Sequence, residues 1–335
     1  MTYVDFSQCH LITKIPDLSM TPYIEHLNLR SCCNLVEVDD SVGHLDKLKV
    51  WDLMGCSKLE TLPRCLTMKS LTCVHFSGCA SISKIPDLSM TPNIEYLNIT
   101  FCRNLVEVDD SVGRLDKLRV WELDMCAELK TLPSCLTMKS LEYFKIFGCR
   151  RLKKFPNILH KMKGFRELLL WDTGISELPP SFGNLTGLRV FDITAHSTEV
   201  IHLPGSIYNL QHLETLTLEG NIIFPKGFSN YVFPRLRTLL LCSFTKGSED
   251  FIFNCCCPLL EELDIGYCEK IVTLPESISR FERLYRLRIY SCDALQEIPR
   301  LPRSIRYVYV DVSNFHSLDS QSLFHQVSLS LSQSY

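Results

Sequence analysis

The sequence predicts an α/β solenoid, in which one short unit repeats along almost the whole chain and its strands stack into a parallel sheet. Three observations carry this. The stretch Leu118–Leu132, LRVWELDMCAELKTL, sets Leu118, Trp121, Leu123, Cys126, Leu129 and Leu132 in the frame L-x-x-W-x-L-x-x-C-x-x-L-x-x-L. That frame restarts at Ile24, Leu48, Leu71, Ile94, Leu118, Leu141, Phe165, Leu188, Leu213, Leu236, Leu260, Leu284 and Ile305, in steps of 23 to 25 residues and a last step of 21. Nine of the 17 cysteines (Cys9, Cys32, Cys56, Cys79, Cys102, Cys126, Cys149, Cys268 and Cys292) fall in one slot of it.

A period of this length with L-x-x-L-x-L-x-x-N/C is the signature of leucine-rich repeats. With an incomplete first unit at Val4, Phe6, Cys9 and Ile12 there are about 14 repeats. The predicted architecture is a horseshoe with a parallel β-sheet on its concave face. Each unit touches only its neighbours, so residues 1–318 form one repeat domain and residues 319–335 a C-terminal tail.

Each unit opens on a short strand. Alternation with period 2 sends the two fixed apolar residues inward and the residues between them to the open face. The cysteine slot then turns the chain inward. A thiol there is a small buried group able to bond to the backbone of its own or a neighbouring loop, which reads the ladder as reduced structural cysteines. Proline corners follow, at Pro16, Pro63, Pro86, Pro133, Pro156, Pro179, Pro204, Pro275 and Pro299. Proline fixes φ and removes a donor that the outer side cannot pair. Turns or one-turn helices such as SVGHLDKL, SFGNLTGL and SISRFERL close the unit.

A longer period lies over the short one. Cys9–Gly78 aligns without gaps on Cys79–Gly148, an offset of 70 residues, with about two thirds of positions identical. His26, Arg30 and Ser31 become Tyr96, Thr100 and Phe101. Asp52, Met54 and Gly55 become Glu122, Asp124 and Met125, and Cys73, His75 and Ser77 become Tyr143, Lys145 and Phe147. These changes crowd onto positions expected to face outward, either because exposed sites are less constrained or because a contact surface has diverged. Regularity is lowest over 213–258, after a unit expanded around His196 to His202. That region holds Asn221 in the ladder slot and the insertion SFTKGSEDFIFNCCCP. The frame is lost from Ser313 onward.

Hydrophobic content of 46% suffices for a continuous core, and a net charge of −3 gives no electrostatic footprint for nucleic acid. No apolar run approaches the ~18 residues of a membrane span. The opening MTYVDFSQCHLITK shows no secretory signal, and a repeat beginning without a polar cap suggests a piece of something longer. No phosphate-binding, dinucleotide, zinc-protease or nucleophile-elbow motif is present, so neither enzyme chemistry nor a cofactor is expected. Cys255, Cys256 and Cys257 are too closely spaced for zinc.

Function is therefore expected on the concave face. The middle units present Tyr96, Glu122, Asp124, Tyr143, Lys145, Phe147, Glu167, Leu169 and Trp171, and the late units Glu262, Asp264, Arg286, Arg288, Tyr290, Tyr307 and Tyr309. Tyr, Trp and Arg are enriched at binding hot spots. Phe147, Leu169 and Trp171 side by side are expected to form an exposed apolar patch.

The units CSKLETLPRCL, CAELKTLPSCL, CRRLKKFPNIL and CEKIVTLPESI resemble the repeat domain of plant intracellular immune receptors. WDTGISELPPSFGNLTGL closely resembles a unit of their Toll/interleukin-receptor nucleotide-binding class, and LPRSIRYVYVDVSNFHSLDS its last repeat, with Ser313 in place of the usual cysteine. The resemblance implies a non-enzymatic, cytoplasmic sensor. Its partners would be a pathogen effector or a guarded host protein and the receptor's own nucleotide-binding switch domain, with no nucleic acid. The substrate-recruiting arm of a ubiquitin ligase is the alternative reading, and it calls for an F-box upstream.

Overall fold

The computed structural model describes residues 2–195, 200–225, 231–243 and 255–311. The chain divides into two compact units, Met1–Ile175 and Ser176–Tyr335. In the first, eight strands pair in parallel in chain order: β1 (Tyr3–Asp5), β2 (His26–Asn28), β3 (Val50–Asp52), β4 (Cys73–His75), β5 (Tyr96–Asn98), β6 (Val120–Asp124), β7 (Tyr143–Phe147) and β8 (Glu167–Thr173). In the second, six do the same: β9 (Val190–Ala195), β10 (Thr215–Glu219), β11 (Thr238–Cys242), β12 (Glu262–Gly266), β13 (Arg286–Tyr290) and β14 (Tyr307–Asp311). Each unit is a parallel-sheet leucine-rich repeat solenoid, the predicted class.

The frame explains the register. Leu27 stands beside Trp51, and Trp51 beside Val74, so each fixed residue meets its counterpart one repeat on. Leu27, Trp51 and Val74 are all buried, with at most 1% exposure. The duplicated blocks pack the same volume differently. Trp51 meets Phe76 edge-on at 5.8 Å, whereas Trp121 stacks on Phe144 at 4.3 Å. The pair Val74 and Phe76 in one copy answers to Phe144 and Ile146 in the other, an exchange that keeps the large ring beside the tryptophan.

The return segments are lean. No α-helix occurs among the described residues; the helical component is single 3₁₀ turns such as Asp40–His44, Pro180–Asn184 and Glu276–Arg280. Just before the proline corners the chain makes a second, sparser ladder of parallel bridges, Lys14 to Glu37 to Thr61 and Lys84 to Glu107 to Thr131. The unit expanded around His202 contributes a short pair here, Val200–His202 with Asn221–Ile223. The rest of that expansion (196–199), most of the insertion after Cys242 and the tail 319–335 lie outside the described residues.

The cysteine ladder has a specific cause. Parallel register would send the Met54 amide to the carbonyl of Leu29, but that amide donates instead to the Oδ1 of Asp52 at 2.9 Å. The Leu29 carbonyl is left to the Cys56 thiol, which donates to it at 3.1 Å. The same exchange recurs when the Arg30 amide turns to Asn28 and Cys32 donates to Phe6, and when the Thr100 amide turns to Asn98 and Cys102 donates to Phe76. An Asx residue ends the strand, and the thiol supplies the donor that the ladder loses. Ladder cysteines among the described residues are free thiols.

Two outcomes follow. Cys56→Ala strands a buried carbonyl and should lower stability by ~1–3 kcal/mol in urea denaturation. Burial pushes the Cys56 thiol up from its ordinary 9.0 to about 12. The neutral thiol is thus the form the fold favours. Its contribution is complete below pH 9 and is lost as pH rises toward 12, so unfolding midpoints should fall over that window, and less so in Cys56→Ala.

Candidate functional site

Residues between the fixed positions form three outward columns on the sheet of each unit. A fourth column follows directly. In the first unit Gln8, Ser31, Gly55, Gly78, Phe101, Met125, Gly148 and Asp172 all take left-handed φ values of 50 to 79°. This conformation turns each amide onto the next strand, as from Phe101 to the Asp124 carbonyl (2.7 Å) and from Met125 to that of Phe147 (2.6 Å). Glycine accepts such φ without cost, whereas a bulky apolar residue there is strained.

The strands bring the middle group of expected residues together on β5 to β8. Tyr96 donates to Glu122 Oε2 at 2.7 Å, and Asn98 ties into both. Burial, with the Glu122 carboxylate adding to it, pushes the Tyr96 phenol up to about 12. Lys145 bonds Asp124 at 2.8 Å and lies 5.7 Å from the centre of the Trp171 ring. Tyr143 and Leu169 are half-buried between them.

The expected patch of Phe147, Leu169 and Trp171 is therefore corrected. Phe147 is exposed (37%), but Leu169 and Trp171 are half-buried, the latter beneath Lys145. The exposed apolar strip runs the other way, through Phe101 (47%) and Met125 (38%) to Phe147. Phe101 and Met125 escaped the three-position map because they sit in the left-handed column, just past the alternation. Their signal was present in the comparison of the two copies, where Ser31, Gly55 and Ser77 hold the corresponding places.

The late group forms a second cluster, in register on β12, β13 and β14. Glu262, Arg286 and Tyr307 share one row, Asp264, Arg288 and Tyr309 the next, and Gly266, Tyr290 and Asp311 the third. Arg286 pairs with Glu262 at 2.5 Å, and Arg288 approaches Asp264 at 3.6 Å. Asp264, expected on the open face, is buried (4% exposed) because the residues of β13 close over it. Burial raises its carboxyl pKa, against the pull of both arginines.

Gly266 shapes this cluster. A Cβ there would stand 2.2 Å from Cε2 of Tyr290, so the ring lies flat over the bare backbone. Its hydroxyl reaches across to the Cys242 thiol at 3.1 Å, with Tyr267 edge-on at 5.4 Å and Arg288 at 5.9 Å. The result is a depression of about 670 Å³ walled by Arg286, Arg288, Tyr307 and Tyr309 and bordered by Tyr267 and Tyr285.

Among the described residues no helix is long and apolar enough to cross a membrane, and no cluster of three or more His, Cys, Asp or Glu residues could hold a metal ion. Fold and ladder together define a leucine-rich repeat protein. The functional domain of InlJ from Listeria monocytogenes, which includes a cysteine ladder, shares this fold (TM-score 0.50, 15% identity, covering 95% of this chain and 64% of that one).

The family model for disease resistance protein RPS4B-like leucine-rich repeats matches residues 137–322, more than half of the chain, and the chain belongs to that family. It is 27% identical over 317 residues to TMV resistance protein N of Nicotiana glutinosa, covering 92% of this chain and 25% of that protein. It is 28% identical over 271 residues to Protein SUPPRESSOR OF npr1-1, CONSTITUTIVE 1 of Arabidopsis thaliana (74% and 18%), and 31% identical over 208 residues to Disease resistance protein RPP5 of the same plant (56% and 14%). The chain thus spans a quarter or less of the length of these relatives.

Replacing Gly266 by Ala should drive Tyr290 off the sheet. The expected cost is ~1–3 kcal/mol in urea denaturation, with faster alkylation of Cys242 measured by peptide mass spectrometry.

Proposed function

We propose that this chain is the protein-recognition part of a cytoplasmic plant immune receptor. The open face of its sheet would bind a pathogen effector or a guarded host protein. Binding would shift an equilibrium between restrained and released states of a nucleotide-binding switch domain elsewhere in the same receptor. Recognition rather than catalysis fits a face built of aromatic, arginine and carboxylate side chains on a rigid ladder.

One observation carries the reading. Within a single chain, two copies of a 70-residue block keep their buried frame and ladder cysteines but differ at the outward columns. At the strip the change runs one way, from Ser31, Gly55 and Ser77 to Phe101, Met125 and Phe147. Phe101 and Met125 accept φ of 58° and 56° while remaining substantially exposed. Strain of order 1 kcal/mol per residue, with only partial burial to offset it (the Met125 sulfur lies over Gly148), is expected where a side chain is kept for contact.

The fold already holds the control residues. Phe101→Ser, Met125→Gly and Phe147→Ser together restore the first copy's side chains and should leave the thermal midpoint within a few degrees of the original. Capture of the partner from infected leaf tissue should fall at least tenfold, as expected from losing one or two hot-spot side chains. Undiminished capture by the triple variant would remove this strip from the recognition surface.

A further inference from the structure

We propose that the depression over β13 and β14 is a second recognition site, specific for an acidic peptide segment in which carboxylate side chains alternate with aromatic or apolar ones. The inference rests on the reading of the open face as a protein-recognition surface and names the partner chemistry at one part of it.

Charge is the first support. The whole chain carries −3, yet residues 280–311 hold seven arginines, no lysine and four carboxylates. Arg283, Arg303 and Arg306 are exposed and make no ion pair among the described residues. Neither Arg283 nor Arg306 lines the depression itself: Arg283 lies two positions before Tyr285 in the chain, and Arg306, directly before Tyr307, donates to the carbonyls of Arg303 (3.4 Å) and Ile305 (3.3 Å). Exclusive use of arginine favours planar, two-pronged partners such as carboxylates over diffuse charge attraction.

Geometry is the second support. Glu262 and Asp264 stand behind Arg286 and Arg288 on the preceding strand and hold the two guanidinium groups in place. At 3.6 Å the Asp264 contact is longer than a hydrogen bond, so the Arg288 donors remain available, and its side chain is 41% exposed. Tyr307 and Tyr309 give flat walls that suit a ring or an aliphatic chain, and the volume of about 670 Å³ accommodates several side chains.

The carboxylates already present decide between anions. Glu262 and Asp264 offset the two arginines, and Asp311 lies at the rim. The attraction left over comes from Arg288, whose contact with Asp264 is long, and from the surrounding excess of arginine in residues 280–311, and it suits singly charged carboxylates spaced along a peptide better than a doubly charged phosphate.

The test uses the full chain and a fluorescein-labelled peptide of alternating Glu and Phe, followed by fluorescence anisotropy. A Lys–Phe peptide and an oligouridylate serve as competing chemistries. The expected result is binding of the Glu–Phe peptide alone, weakening severalfold as salt rises from about 0.05 to 0.3 M. Arg283→Glu with Arg306→Glu changes only exposed side chains and should weaken that binding about tenfold at an unchanged thermal midpoint. Tyr309→Ala should weaken it as well, whereas Phe101→Ser, Met125→Gly and Phe147→Ser should not. Equal binding of the Lys–Phe peptide, tighter binding of the oligouridylate, or indifference to the arginine reversals would overturn the proposal. Each of those results leaves the capture experiment on the first unit standing, because it reads different residues.

Discussion

The structure depends on how each strand stops. A parallel ladder that ran on would leave no room for the chain to turn inward. At Asn28, Asp52 and Asn98 the side chain takes the amide two residues ahead and so ends the pairing. That choice strands the carbonyls of Phe6, Leu29 and Phe76 in a dry interior, where an unmet acceptor costs ~1–3 kcal/mol. A thiol one repeat on reaches each of them. Cysteine suits the place because it is small, buries readily and still donates weakly. Cys79, Cys126 and Cys149 reach the carbonyls of Leu53, Ile99 and Leu123 in the same way with His75, Glu122 and Lys145 in the Asx place, so the thiol contact recurs where the Asx cap does not, and the side chains outside it vary.

The freedom appears where the energetic consequences are smallest. Framework positions answer to neighbours on both sides, so an alteration at one is matched at another, as when Val74 and Phe76 give way to Phe144 and Ile146. Outward positions answer only to water and to the adjacent rungs. There the second copy of the duplicated block exchanges serine and glycine for large apolar residues, and a half-buried network links Tyr96, Asn98 and Glu122. In the second unit the sheet is reworked through a single absence: without a Cβ at Gly266, Tyr290 lies down and Arg288 can pack beside its ring.

Much of this was legible in the amino-acid order. The fixed leucines, the cysteine slot and the 70-residue duplication are periodic, and a solenoid translates period directly into position. What could not be read depends on neighbours across the sheet. Burial of Asp264 requires β13 to close over it, and the half-burial of Trp171 requires Lys145, which is anchored by Asp124. The left-handed column was missed for a different reason. Period-2 alternation ends at the last strand residue, and no local composition rule marks Phe101 or Met125 as adopting a conformation usually left to glycine. The role of Gly266 is visible only once the ring two dozen residues later is seen lying on it.

The duplication has a further consequence, which lies in its junctions. Gly78 leads into Cys79 as Gly148 leads into Cys149, so the two block ends stand at the same point of the frame. Removing residues 79–148 would join Gly78 to Cys149 without disturbing frame, ladder or corner. Length in such a molecule is thus open to change three turns at a time, by exchange between stretches that share a frame and about two thirds of their residues. Each such event delivers a fresh set of outward side chains already mounted on a working support.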